Sequence, residues 1–362
     1  MAIASVTGQE RAKAQIDAWL TTDRLPHAIL ITGPLGTGKR QLALELAKAI
    51  NCQTPGSDAC DQCGSCRKTD SLNHPNLHLL LPLPTGSRGS DAETMATLRE
   101  TALDQFHGQA AAATRTGTNI SKDSIRLLQK EMSFAPTEAP HRVGLILQAE
   151  AMLPAGSNSL LKILEEPPGQ SIFLLVSDAP DQLLPTILSR CQRLPLRPLT
   201  VSEHRARLEA SGTDGERADL AARLAASGRI RAEDVIGGET FDELRELVRR
   251  FISAGIQGTD QDYWQILEDL GGRPDRQQLE GFLQLCSAYL RDLFLVQQQQ
   301  LAAVANVDET EALQGWAQAL KPARVELVAQ VLDQAYDSLS RNVNPQLLLA
   351  DLWYQLQRAR AA

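Results

Sequence analysis

One glycine-rich segment limits what this chain can fold into more than any other feature. It reads G-P-L-G-T-G-K-R and lies between an apolar run at residues 28–31 and a helical pattern at residues 40–50. The residues that match the phosphate-binding pattern G-x4-G-K are Gly33, Gly36, Gly38 and Lys39. In that pattern backbone N–H groups surround a phosphate, the helix N-terminus adds positive charge, and the lysine supplies a point charge. The order of strand, loop and helix predicts a nucleotide-binding loop in an α/β domain.

Three positions that an ATP-hydrolysing loop needs are changed in this chain. Arg40 stands where the pattern has Ser or Thr, whose hydroxyl coordinates Mg²⁺. The apolar run at residues 143–147 should end in an Asp that holds Mg²⁺, often followed by a Glu that orients water, but Leu147 and Gln148 stand there. Glu150 lies two positions beyond and does not replace both. We therefore expect no ATP hydrolysis, and two interpretations stay open: a degenerate loop that still binds ATP or ADP, or a glycine turn without nucleotide.

Short apolar runs alternate with helical patterns over the first 200 residues, which is typical of helices around a parallel sheet. The predicted strands lie at residues 28–31, 77–81, 143–147 and 172–176, and helices at 40–50 and 157–164. After Pro198 helical patterns follow to the end of the chain. We predict a P-loop α/β domain at 1–198, a small helical domain at 199–240 and an all-helical domain at 241–362. Residues 84–117, rich in Gly, Ser, Thr and Ala, are interpreted as an insertion or mobile loop.

The last of these regions carries two clear helix signals. Phe282, Tyr289 and Leu293 share one apolar stripe at helical spacing. Asn344 followed by Pro345 is typical of an N-cap and the first residue of a helix. Both signals predict a helical bundle in this part of the chain.

Four of the six cysteines lie close together in the sequence. They are Cys52, Cys60, Cys63 and Cys66, with the spacing C-x7-C-x2-C-x2-C. In a reducing compartment such a cluster is more often a metal site than a set of disulfides, and four thiolates at this spacing are typical of a closed, structural zinc site. Arg67 and Lys68 follow directly and offset the negative charge. The alternatives are free thiols, or His74 or His78 as a ligand, although four cysteines already complete a tetrahedral ion.

Charge and hydropathy exclude several classes of protein. The chain of 362 residues has 36 Lys and Arg against 44 Asp and Glu, and its formal net charge is -8. This balance argues against a protein that grips nucleic acid by itself through a basic surface, so any nucleic-acid role should be shared with partners. No apolar run approaches the roughly 18–20 residues of a membrane span, and the start of the chain does not look like a signal peptide. We expect a cytoplasmic protein with no membrane partner.

Four features, in this order, resemble the clamp-loader family of AAA+ proteins over the whole chain. They are the opening V-x-G-Q at residues 6–9, the four-cysteine knuckle after the helix of the phosphate loop, the run N-S-L-L-K-I-L-E-E-P-P at 158–168, and the triplet S-R-C around Arg190. The resemblance implies a RecA-like AAA+ domain with an inserted zinc module at 52–66, followed by a small helical lid and an all-α collar. A lone arginine is usually a solvated surface residue, so the role of Arg190 rests on the resemblance.

The resemblance also implies roles and partners. The arginine of the triplet completes the ATP site of the adjacent subunit in this family, so Arg190 is the expected trans arginine finger. The expected partners are gamma/tau ATPase subunits and a delta subunit in a heteropentameric ring, together with the sliding clamp and with primed DNA reached through the complex. Motor members of the family keep the Ser or Thr of the loop and the Asp and Glu after the strand, and Arg40, Leu147 and Gln148 stand at those positions here. The resemblance therefore implies a non-hydrolysing stator within a DNA polymerase holoenzyme. The alternative is an ATP-hydrolysing subunit of the gamma/tau type.

Overall fold

The structure is a computed structural model that divides into two compact units, residues 1–199 and 200–362. It describes residues 2–54, 56–84, 90–107, 118–213, 215–237, 239–258, 260–272, 274, 276–339 and 343–359. In the second unit one apolar cluster includes both Leu208 and Ala359. The separation of a lid at 199–240 from a collar at 241–362 stays a prediction.

The first unit is built on a parallel sheet. The strands described in this unit are β1 (Ala28–Thr32), β2 (Leu77–Leu80), β3 (Leu83–Pro84), β4 (Thr118–Asn119), β5 (Arg142–Ile146), β6 (Ser171–Ser177) and β7 (Gln192–Pro195). Five of them form the main sheet in the order β2-β5-β6-β1-β7, and every neighbouring pair is parallel. β1, β5 and β6 are buried along their whole length, which explains why their apolar runs are unbroken. The four predicted strands and the α/β fold class are confirmed.

Strand β7 is the member of the main sheet that the sequence did not predict. It lies at the edge of the sheet beside β1, and only Leu194 among its four residues is buried. An edge strand with one buried residue has no apolar run to recognise. Its place follows from pairing with β1 rather than from its own pattern.

Helices cover both faces of this sheet. The helices described in the first unit are α1 (Glu10–Thr21), α2 (Lys39–Ile50), α3 (Gly64–Asp70), α4 (Asp91–His107), α5 (Lys122–Ser133), α6 (Pro154–Glu165) and α7 (Pro185–Leu188). Apolar residues of α1, α2 and α4 pack on one face, and those of α5 and α6 pack on the other. The result is a three-layer α/β/α arrangement in which strand ends, and the loops after them, stay accessible for a site.

The segment predicted as an insertion or mobile loop contains a packed helix. Residues 85–89 and 108–117 lie outside the described residues, but α4 lies between them, and its Leu98 and Ala102 are buried in the core. β3 and β4, at the two ends of the segment, pair with each other in antiparallel fashion. For its described part, the expectation of a loop is therefore wrong, because the small residues between the apolar positions obscured a helical pattern.

The second unit is helical throughout its described residues. Its helices are α8 (Val201–Ala210), α9 (Gly215–Ala226), α10 (Ala232–Ile236), α11 (Glu239–Gln257), α12 (Asp260–Asp269), α13 (Arg276–Gln297), α14 (Thr310–Ala319), α15 (Pro322–Ser338) and α16 (Pro345–Arg358). The predicted stripe on α13 is buried, and the side chain of Asn344 accepts a hydrogen bond from the N–H of Gln346 at the start of α16. Among the described helices, none is long and apolar enough to cross a membrane.

Candidate functional site

The glycine-rich segment forms a loop between the end of β1 and the start of α2. Gly36 and Gly38 have φ values of 78° and 83°, a left-handed conformation that favours glycine. Gly33 is needed for another reason, because a Cβ there would lie 2.7 Å from the backbone oxygen of Leu196. The loop therefore leads into the N-terminus of α2, where the first backbone N–H groups have no partner within the helix.

Lys39 points into the protein at this loop. Its ammonium donates to the backbone oxygen of Pro34 at 2.5 Å and to Thr37 Oγ1 at 3.3 Å. It also forms an ion pair with Asp178 Oδ1 at 2.7 Å, and the lysine side chain is only 4% exposed. Because an ammonium has three N–H donors, these three acceptors account for all of them. Burial lowers the pKa of Lys39, and the neighbouring Asp178 carboxylate opposes that shift.

Two carboxylates that the sequence analysis did not assign to the phosphate loop lie beside it. Asp178 follows β6, which runs parallel to β1 with Ser177 opposite Thr32, so the ends of both strands meet at one edge of the sheet. Glu150 Oε1 accepts a hydrogen bond from the N–H of Asp178 at 3.3 Å. Burial raises the pKa of Glu150. The signal in the sequence is an acid two residues after the apolar run at 172–176, but only the strand order places it beside Lys39.

The three changed positions lie at the same edge of the sheet. Arg40 is half-buried in the first turn of α2. Leu147 is fully buried directly after β5, and Gln148 follows with a φ of 52°. None of the three side chains offers the hydroxyl or carboxylate that holds Mg²⁺ in an ATP-hydrolysing loop.

The four cysteines of the predicted metal site converge on one point. Their sulfurs all lie within 4.8 Å of one another. Cys66 Sγ lies 3.9 Å from Cys60 Sγ and 3.7 Å from Cys52 Sγ. A tetrahedral zinc ion with metal–sulfur bonds of about 2.3 Å places its sulfurs about 3.8 Å apart. The cluster therefore has the spacing that allows it to hold one metal ion.

Backbone N–H groups fix the fold of this knuckle. Three backbone N–H groups donate to sulfurs, each at a distance of 3.4 Å. The N–H of Cys60 donates to Cys52, that of Cys63 to Cys60, and that of Cys66 to Cys63. Hydrogen bonds from Thr54 and then from backbone N–H groups lower the pKa of Cys60 to about 6, and this favours its thiolate. Burial raises the pKa of Cys66. An ion that replaces the proton of Cys66 offsets the cost of burying this thiolate, so the donor set fits a thiophilic metal.

The two histidines considered as rival ligands lie apart from the knuckle. His74 Nδ1 accepts a hydrogen bond from the N–H of Asn76 at 3.1 Å, and His78 lies within β2. The group of described residues that can hold a metal consists of the four cysteines and includes neither histidine.

Arg190 lies between the short helix α7 and the edge strand β7. Its guanidinium donates to the backbone oxygen of Thr186 at 3.0 Å and forms an ion pair with Glu165 Oε1 at 2.5 Å. The side chain of Arg190 is 35% exposed and that of Glu165 is 49% exposed. Glu165 is the last residue of α6 and belongs to the run at 158–168 that carries the family resemblance. Because partly exposed ion pairs are weak, a stronger anion can take the place of Glu165 at low cost.

The first part of the sequence matches a known family. Residues 8–200 match the profile described as DNA polymerase III, delta subunit, and this stretch is more than half of the chain. The chain belongs to this DNA polymerase III subunit family. The resemblance to clamp-loader proteins that the motifs predicted is confirmed at the level of the family.

Individual relatives within the clamp-loader family are of two types. The delta' subunit of DNA polymerase III from Bacillus subtilis is 35% identical over 204 residues, which are 53% of this chain and 52% of that protein. The gamma/tau subunit of DNA polymerase III from Mycobacterium tuberculosis is 34% identical over 206 residues, which are 57% of this chain and 30% of that protein. The chain therefore spans about half or less of the length of these relatives.

A solved structure supports the fold of this family member. The DNA polymerase III gamma subunit-related protein of Thermotoga maritima has a TM-score of 0.50 at 15% identity, over 95% of this chain and 99% of that chain. At this identity the likeness concerns the fold alone. It agrees with the α/β unit and the helical unit described above.

Proposed function

We propose that this chain is a non-hydrolysing, delta-prime type subunit of the DNA polymerase III clamp loader, a stator that helps to load the sliding clamp on primed DNA. The observation that carries the proposal is the edge of the sheet where Arg40, Leu147 and Gln148 stand. Phosphoryl transfer needs a bound Mg²⁺ and a positioned water, and the loss of one such part slows it by orders of magnitude. A chain that lacks all three groups is suited to complete the ATP site of a neighbouring subunit rather than to hydrolyse ATP itself.

The phosphate loop is proposed as a degenerate cofactor site. Gly33, Gly36, Gly38 and Lys39 are kept, and the N-terminus of α2 is the place where backbone N–H groups favour a phosphate. Lys39 already pairs with Asp178, so a phosphate of ATP or ADP has to displace that carboxylate. A nucleotide that binds at this loop is therefore held there without being hydrolysed.

Arg190 is proposed as the group that acts on the neighbouring subunit. A guanidinium is planar and always charged, and it can reach the γ-phosphate of ATP bound to another chain. Its partial exposure and its weak partner Glu165 support this role. A finger supplied in trans makes hydrolysis by the neighbour depend on correct assembly, because the transition-state charge is stabilised only when both subunits are in place.

Zinc is the proposed metal of the cysteine knuckle. Cys52, Cys60, Cys63 and Cys66 would hold one Zn²⁺ with no open position, and such a closed site stabilises the fold rather than activating a substrate. The sulfur spacing supports this assignment. The module at 52–66 is then a structural insert between α2 and β2.

The partners are proposed from the family. Gamma/tau ATPase subunits and a delta subunit would complete a heteropentameric ring with this chain, and the sliding clamp and primed DNA would be engaged by the complex. The second unit is helical, and in this proposal residues 199–240 act as the lid and residues 241–362 as the collar. The formal charge of -8 fits a subunit that leaves most DNA contacts to its neighbours.

An ATP-hydrolysing gamma/tau-type subunit is the second candidate function. It is favoured by 34% identity to a gamma/tau protein and by the two carboxylates, Glu150 and Asp178, beside Lys39. The purified chain with ATP and Mg²⁺ separates the candidates. We expect phosphate release at the background rate of a Lys39→Ala variant. Turnover that depends on Mg²⁺ and is lost in that variant would assign the chain to the motor type.

A further inference from the structure

One lysine links the phosphate-loop helix to the cysteine knuckle. Lys48 lies in the last turn of α2, and its side chain is 0% exposed. Its ammonium contacts three carboxylates, Glu45 Oε2 at 2.8 Å, Asp61 Oδ1 at 2.5 Å and Asp70 Oδ1 at 2.8 Å. Asp61 lies between two of the metal-site cysteines in the sequence, and Asp70 ends α3. A fully buried cation therefore joins the two sides of the knuckle to α2.

A second carboxylate of the knuckle holds the N-terminal segment. Asp58 Oδ1 accepts the N–H of Ile3 at 2.9 Å, and Asp58 Oδ2 accepts the N–H of Ala4 at 3.1 Å. These N–H groups open a short 3₁₀ turn, Ile3–Ser5, whose unpaired donors need such an acceptor. Asp58 lies two residues before Cys60, so the position of its carboxylate depends on the course of the chain around the sulfurs.

The same N-terminal segment packs against the phosphate loop. Val6 lies over the last glycine of the loop, because a Cβ on Gly38 would be 3.4 Å from Val6 Cγ1. Ile3 and Val6 are buried in the apolar cluster that includes residues of α2. Gln9 Nε2 donates to the backbone oxygen of Thr37 at 3.3 Å. Contacts therefore run without a gap from the knuckle through residues 3–9 to the loop.

We infer that the cysteine knuckle holds the N-terminal segment in place, with Lys48 and Asp58 as its positioning residues. Metal at the four cysteines fixes the backbone between Cys52 and Cys66, and this places Asp58 to hold residues 3–6 over the phosphate loop. Lys48 neutralises the carboxylates that the closed knuckle brings together. Loss of the metal then loosens the N-terminal segment as well as the knuckle. This inference rests on the proposed metal site but not on the arginine finger.

This role of the knuckle is tested by hydrogen–deuterium exchange of the full chain. Mass spectrometry then measures the exchange in the peptide that contains residues 3–8. The zinc-loaded protein is compared with protein stripped by a chelator. We expect exchange in this peptide to become about tenfold faster on stripping, since the N–H groups of Ile3 and Ala4 lose their acceptor. Asp58→Ala, which removes both acceptor oxygens, should show the same fast exchange while zinc is retained.

Zinc release to a coloured chelator tests Lys48 in the same chain. Lys48→Met should release zinc about tenfold faster, which is the size of effect that supporting residues around metal sites have, and Lys48→Arg should restore slow release. Lys130→Met, which removes an exposed lysine paired with Asp91, serves as the control. If zinc binds but stripping does not change exchange in the N-terminal peptide and Lys48→Met does not change zinc release, the link from the knuckle to the N-terminal segment is refuted and the metal site stands. If the chain binds no zinc, both are refuted.

Discussion

Lys39 and Asp178 form an ion pair of 2.7 Å between the phosphate loop and the end of β6. The two residues are far apart in the sequence, and the parallel pairing of β1 with β6 brings them together. The buried lysine therefore has a negative partner within the same unit. The loop can keep its shape without a bound phosphate, which suits a subunit that does not hydrolyse ATP.

Asp178→Asn should destabilise the first unit by about 1–2 kcal/mol, because a buried ammonium loses its charged acceptor. The matched control is Asp181→Asn, since Asp181 is an exposed acid three residues further on. Denaturant unfolding of both variants and the wild type measures the difference. Equal unfolding free energies for Asp178→Asn and the control would mean that the ion pair does not support the loop.

Metal analysis of the purified chain should find about one zinc per chain. Cys60→Ser together with Cys63→Ser should abolish it, because two of the four thiolate ligands are removed. The double variant should also melt at a lower temperature, since the free energy of metal binding contributes to folding. Cys286→Ser is the control for zinc content, because Cys286 belongs to the second unit and is not a member of the cluster. Zinc retained in full by the double variant would contradict the assignment of the site.

The stability of the second unit should fall in acid because of His204. Burial and then the nearby Arg207 lower the pKa of His204 to about 4 from its ordinary 6.5. The unfolded chain takes up a proton near pH 6.5 while the folded chain does not, so stability is complete above that pH and is lost as the pH falls towards 4. The loss amounts to at most about 3 kcal/mol. Unfolding measured from pH 7 to 4 should be less pH-dependent for His204→Leu, and an unchanged slope would refute the role of this residue.

Local patterns were sufficient for much of the fold. Unbroken apolar runs predicted the central strands because both of their faces are buried, and Asn344 with Pro345 predicted the start of α16 because the cap is a local hydrogen bond. The edge strand β7 has one buried residue and gave no such signal. The helix α4 was hidden in a segment whose composition is typical of loops. Both elements depend on contacts with distant parts of the chain.

The candidate site divides in the same way. The glycines share one loop and the four cysteine sulfurs lie within 4.8 Å of one another, as expected for two sets of residues that are each close in sequence. Asp178 reaches Lys39, and Glu150 reaches the N–H of Asp178, only through strand order, which no spacing encodes. The pairing of Arg190 with Glu165 likewise joins the ends of two separate elements. Sequence analysis named Glu150 and Arg190 but not Asp178, and it could not show which of these side chains meet.

The measurement that tests the account most directly is ATP hydrolysis by a loader assembled from the motor subunits and this chain. With Arg190→Ala we expect the rate to fall by at least about tenfold, because the neighbour's site loses the charge that stabilises its transition state. Arg190→Lys should recover only part of the rate, since lysine lacks the planar fork. Arg126→Ala, at an exposed arginine of α5, should leave the rate unchanged, and zinc content and assembly should be normal in all variants. Wild-type turnover in a fully assembled Arg190→Ala loader would contradict the account.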